Sequence, residues 1–113
     1  MRRDELYLAD ILEAANAIEL FLKDVEKSRF VSDDLIRSAV LQKLTIIGEA
    51  AARITKQFKE RHRDVEWTEI IAFRNLTVHA YFSIDWSIVW TTALKDVPQL
   101  KEKISAILSE TDL

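Results

Sequence analysis

Apolar residues recur every three or four positions along most of this chain, the spacing of one face of an α-helix. Leu8, Ile11, Ala15, Ile18, Leu22 and Val25 form the first such stripe. It predicts a helix over residues 5–27, with Asp4 as N-cap and Lys23 and Lys27 at the negative end of its dipole. Ser28 to Val31 breaks the pattern. Ser32-Asp33-Asp34 then offers caps and first-turn acids for a longer helix. Its stripe is Ile36, Val40, Leu44, Ile47, Ala51, Ile54 and Phe58, which predicts a helix to about Arg61, close to 40 Å long. Gly48 lies inside it, where glycine costs about 1 kcal/mol relative to alanine. Gly48 and the three alanines Ala50, Ala51 and Ala52 therefore predict the close approach of another backbone. His62 to Glu66 is a polar connection. A third long helix begins at Trp67, with Trp67, Ile70 and Ile71 on one side. Ser83 to Asp85 caps a short helix over 86–96 whose buried side is Ile88, Val89 and Leu94. Val97-Pro98 marks a kink or a new start. Leu100, Ile104, Ile107 and Leu108 make the last helix, and the final residues are expected to fray.

These elements predict an all-α fold, an antiparallel bundle of four long helices and one short one, in a single domain over residues 1–113. One Gly and one Pro among 113 residues agree with long helices and argue against a turn-rich β fold. With no cysteine there is no disulfide frame, thiol nucleophile or thiolate metal site. A reducing cytoplasm suits such a chain. The charged, amphipathic start MRRDELYLAD does not read as a signal peptide. No apolar run approaches the roughly 20 residues of a membrane span. Net charge is −3, so the overall field does not draw in a polyanion. Only the middle of the chain is basic. Arg53, Lys56, Lys59, Arg61 and Arg63 are either a solvated face that complements a helix dipole or a landing strip for phosphate, with Arg53 and Lys56 as the RNA contacts.

The chemistry concentrates in WTEIIAFRNLTVHAY, residues 67–81, where Arg74, Asn75, His79 and Tyr81 fall within eight positions. Arginine grips phosphate well, and histidine titrates near neutrality. On an ideal helix Arg74 and His79 lie about 140° apart, whereas Asn75 and His79 share a face. For Arg74 and His79 to act on one atom, the helix must end near Thr77 or a second copy must complete the site. Plainer readings stand beside this one. Arg74 pairs with a carboxylate such as Glu49 or Glu69, His79 satisfies carbonyls at a helix end, and Tyr81 is a core aromatic. His62 and His79 lack metal-ligand spacing, so no metal is expected. There is no GxSxG turn and no phosphate-cradling glycine loop.

RNLTVHAY resembles the motif of the HEPN superfamily: Arg, a polar residue, three further residues, then His. The X-Tyr that follows resembles its HepT-like toxin branch. Ser38-Ala39-Val40, Ile47-Gly48-Glu49-Ala50, Trp67 to Ile71, Tyr81-Phe82, Trp86 to Trp90 and Asp96 to Leu100 extend the likeness over most of the chain. Ala72 and Ala80 stand where the family often has glycine, each adding one methyl. The resemblance implies a helical bundle that dimerises about a two-fold axis, with two motif copies facing one cleft. It implies a cofactor-free, metal-independent endoribonuclease toxin that leaves 2′,3′-cyclic phosphate and 5′-hydroxyl ends. His79 acts there as general acid or base, Arg74 stabilises charge, Asn75 orients and Glu49 supports Arg74. It also implies an MntA-like nucleotidyltransferase antitoxin that transfers AMP to Tyr81. The alternative from the same superfamily is a non-catalytic scaffold partner of a nucleotidyltransferase.

Overall fold

The computed structural model describes residues 3–111, which contain seven α-helices and no strand. Four are long: α1 (Asp4–Phe21), α3 (Asp34–Arg53), α5 (Trp67–His79) and α7 (Val97–Thr111). Three are short: α2 (Lys27–Ser32), α4 (Lys56–Arg61) and α6 (Trp86–Thr91). The tail expected to fray after Thr111 lies outside the described residues. No helix among the described residues is long and apolar enough to cross a membrane.

The stripes build the core as their spacing requires. Leu8, Ile11, Ala15, Ile18 and Leu22 from α1 and its end are buried, together with Val40, Leu44, Ile47 and Ala51 from α3 and Ile104 and Ile107 from α7. Helix α1 packs against α3 and α7, and α3 carries α5. Helices α3 and α5 run antiparallel, since Thr45 meets Thr77 and Gly48 meets Arg74.

Several boundaries differ from the expected ones. Helix α1 stops at Phe21, and the chain turns at Asp24, whose φ of 60° lies in the left-handed region that aspartate tolerates better than most residues. Lys23 and Lys27 are therefore not on the last turn of α1. The supposed break at Ser28–Val31 is itself helical, and Phe30 in α2 is fully buried. Asp4 is the first residue of α1, and Arg3 holds the cap position. The Asp4 carboxylate instead accepts the Thr55 N–H at 2.9 Å and the Thr55 hydroxyl at 2.7 Å. That bond fixes a second unexpected break. The 32–61 helix is interrupted at Ile54, which is extended (ψ 141°), and Thr55 caps α4 by accepting from the Phe58 N–H. The cap expected within Ser32-Asp33-Asp34 is Asp33, which accepts from the Ile36 N–H at 3.1 Å.

The segment after α6 is a π turn, Thr92–Asp96, leading directly into α7. Pro98 has no N–H for the Leu94 carbonyl four residues back, and its ring crowds that carbonyl. A locally widened turn accommodates both effects. Val89 is buried as expected, but Ile88 and Leu94 are about half exposed. Ala93 and Val97 take the inward positions, with Trp86 and Trp90 packed against the core.

Candidate active site

Helix α5 is fastened at its start. Trp67 is buried, and its indole N–H donates to the His62 carbonyl at 3.0 Å. This pins the connection to the helix it introduces. Farther along, Arg74 faces α3. A Cβ placed on Gly48 would overlap the Arg74 Cβ, lie 2.6 Å from its Cγ and 3.4 Å from its Cα. The glycine thus makes the room in which the base of the Arg74 side chain sits. The close approach expected at Gly48 is real, and its object is Arg74. The next residue on α3, Glu49, takes the Arg74 guanidinium at 3.3 Å, and Glu69 is not the partner. Both side chains are partly exposed, so solvent screens the attraction and its main effect is orientation. Arg74 Nε is buried with no hydrogen-bond partner among the described residues. With one Nη engaged by Glu49, the guanidinium keeps donors for a phosphate oxygen.

Thr77, one turn beyond Arg74, is buried, and its hydroxyl donates to the Arg74 carbonyl at 2.9 Å. Its oxygen lies 3.3 Å from that of Thr45 on α3. Thr77 is a support that motif reading passed over. Its polar type at an inward position of an apolar helix was the available signal.

The helix does not end near Thr77. It continues through His79, and the Ala80 N–H still reaches the Leu76 carbonyl at 2.9 Å. Arg74 and His79 therefore sit on different sides of one helix, separated by about 7.5 Å of rise. Asn75 and His79 are exposed and share the outer face with Ala72 and Leu76. A single chain thus brings together Arg74, Glu49, Gly48 and Thr77 on one side, and Asn75 with His79 on the other.

Tyr81 opens a 3₁₀ turn, Tyr81–Ser83, right after α5. It is 45% exposed, so it is no core aromatic. Its ring meets Phe82 and Trp86 edge to face, with centroids 5.5 Å and 6.4 Å away. The Arg37 guanidinium lies 4.9 Å from the Trp86 ring centre and donates to the Val31 carbonyl at 2.9 Å. Arg37 is not among the residues that the sequence motifs pick out.

The basic group lies elsewhere. Arg53 is exposed at the end of α3, one turn beyond Glu49 and on the same face, so it extends the Arg74–Glu49 side. Lys56 opens the separate helix α4 and lines a shallow cleft with Lys59, Arg63, Glu60, Glu66 and Glu69. The acids offset the lysines there. Burial pushes Lys59 below the usual lysine range, against the opposing pull of Asp4.

Comparison with known proteins identifies the family. The model of the family described as "Ribonuclease HepT-like" matches residues 11–107, nearly the whole chain and all of the site. The chain belongs to the HepT-like ribonuclease family. A Methanocaldococcus jannaschii protein named "Putative RNase" is 38% identical over 94% of this chain and 98% of its own length. A Thermococcus cleftensis protein named "Probable ribonuclease HepT" is 38% identical over 89% of this chain and 92% of its own. A third relative, from Caldanaerobacter subterraneus and also named for an RNase, is 34% identical over 97% of this chain. No solved structure matches the chain significantly. In this HepT-like protein α5 runs through Ala72 without interruption, and Ala80 forms its C-cap.

Proposed function

We propose that this protein is the ribonuclease toxin of a toxin–antitoxin pair, cutting RNA at a site built from two copies of α5. One observation carries the reading: α5 runs unbroken through His79, holding Arg74 inward and His79 outward. Two copies related by a two-fold axis, meeting beside the outer face with Ala72, Asn75, Leu76 and His79, bring the exposed histidine of one to the partly exposed guanidinium of the other. Half-exposed Leu76 gives that face apolar area to bury.

In the reaction, His79 takes the proton of the ribose 2′-hydroxyl. The 2′-oxygen bonds to the adjacent phosphorus as the P–O5′ bond breaks. The leaving 5′-oxygen takes its proton from water. Arg74, aimed by Glu49, stabilises the charge that builds on the phosphoryl oxygens. Asn75, on the face of His79, orients the phosphate. No metal or cofactor is needed, and the products are a 2′,3′-cyclic phosphate and a 5′-hydroxyl. Arg53 extends the phosphate path, whereas Lys56 on α4 is the weaker candidate.

Tyr81, exposed just beyond α5, is the site at which an MntA-like nucleotidyltransferase restrains the toxin. Its phenol oxygen attacks the α-phosphorus of ATP, pyrophosphate leaves and the phenol proton is lost. The new phosphodiester adds a negative charge and a bulky adenosine at the end of the motif helix, which repels and blocks RNA. The setting is cytoplasmic. The acidic net charge, −3, favours a second reading, a non-catalytic partner of the nucleotidyltransferase. Cleavage in EDTA separates them, using protein whose intact mass shows Tyr81 unmodified. The toxin reading predicts cyclic-phosphate ends from wild type and none from His79→Ala. No cleavage of any RNA by unmodified dimer supports the scaffold.

A further inference from the structure

Phe82 is wholly exposed, at 100% of its possible surface. It is three residues beyond His79 and sits on a turn held by the Ser83 N–H to the Ala80 carbonyl at 2.9 Å and the Ile84 N–H to the Tyr81 carbonyl at 3.2 Å. Behind it the aromatic rings form a chain into the core. Phe82 meets Tyr81 at 89°, Tyr81 meets Trp86 at 80°, and Trp86 meets the fully buried Phe30 at 68° with centroids 6.3 Å apart. Arg37 backs the Trp86 ring. The outermost ring caps this chain of edge-to-face contacts, and its full exposure leaves its surface open to solvent.

We infer that Phe82 is a stacking platform for an unpaired nucleobase beside the cleaved phosphodiester, so that the substrate is single-stranded RNA read by stacking. The inference rests on the ribonuclease reading above. An open aromatic face takes any base without hydrogen-bond readout, and purines more strongly than pyrimidines. Exposed Val78, Tyr81 and Ile88 lie near it in sequence, with exposed Ser83 and Asp85 among them, so a contact between copies is the competing role that the oligomer readout below separates. The platform acts through binding and plays no part in proton transfer.

The test uses full-length, unmodified His79→Ala protein, which cannot cleave, and fluorescent single-stranded RNA of about a dozen nucleotides, either oligo(A) or oligo(U). Phe82→Ala and Phe82→Leu are expected to weaken binding roughly 5- to 150-fold, and Phe82→Trp to retain it. Oligo(A) is expected to lose more than oligo(U), and light scattering to show an unchanged oligomer. Equal affinity in Phe82→Ala overturns the inference. So does rescue by leucine, which makes the role apolar bulk, or loss of the oligomer in Phe82→Ala, which makes Phe82 a contact between copies. If the parent protein binds no RNA and wild type cuts none, the ribonuclease reading itself falls. If wild type cuts and Phe82→Ala binds normally, only the platform falls.

Discussion

The two sides of α5 differ in a way that explains why the motif needs both. The inner side is fitted. Gly48 makes room for the base of Arg74, Glu49 holds its guanidinium at 3.3 Å, and Thr77 ties its carbonyl. The outer side is bare, with Asn75, Leu76 and His79 exposed and Tyr81 and Phe82 just beyond. A charge-stabilising group gains from being fixed before reaction, since it then costs no reorganisation. A proton-transfer group has to be reached by substrate. On the proposed reading, one helix therefore serves as an anchor on one side and as an open reactive face on the other.

The sharpest way to break that comparison is to remove the reactive face alone. His79→Ala is expected to lower cleavage by about 10²- to 10⁴-fold with no change in melting temperature, because the side chain is exposed. A large drop in thermal stability would mean that the outer face is not bare. Next is Gly48→Ala, on the anchored side. One methyl forces α3 and α5 apart at Arg74, so stability is expected to fall by about 1–3 kcal/mol, read as a lower denaturant midpoint. Cleavage should fall with it. An unchanged midpoint would show that the interhelical contact is slack.

Smaller effects sharpen the account. Glu49→Gln keeps the shape and removes the charge. Cleavage is expected to fall several-fold while stability changes by no more than about 1 kcal/mol, since the pair is partly exposed. Loss of stability without loss of rate would make Glu49 a purely structural partner. Thr77→Val removes a hydroxyl that bonds the Arg74 carbonyl, and is expected to cost about 1 kcal/mol in chemical denaturation. No cost at all would mean that the Thr45–Thr77 approach contributes nothing.

Much of this was legible in the sequence, and the misses share a cause. Apolar spacing identified the inward residues of α1, α3 and α7 because burial selects the face directly. The same spacing hid the breaks after Phe21 and at Ile54. Leu22, Ile54 and Phe58 stay buried on both sides of those breaks, so the stripe continues where the helix does not. The second break depends on Asp4, 51 residues from Thr55, a contact that no local pattern reveals. Ile88 and Leu94 were misplaced because one is adjacent to Val89 and the other five residues from it, so neither shares its face; Ala93 and Val97, at steps of four, do. At the site, the lone glycine pointed to a close approach, but only the antiparallel pairing of α3 with α5 shows that Arg74 fills it. The uninterrupted α5 also decides the question that the motif left open within one chain, in favour of separate faces for Arg74 and His79.

The two-copy site is tested most directly by mixing inactive partners. Arg74→Ala and His79→Ala proteins, each confirmed unmodified by intact mass, are exchanged into mixed dimers and assayed for RNA cleavage in EDTA. A mixed dimer carries one site with both an intact arginine and an intact histidine. Random exchange is therefore expected to restore roughly a quarter of wild-type activity. Activity that stays at the level of the separate variants, with mixed dimers demonstrably formed, would contradict a site shared between copies.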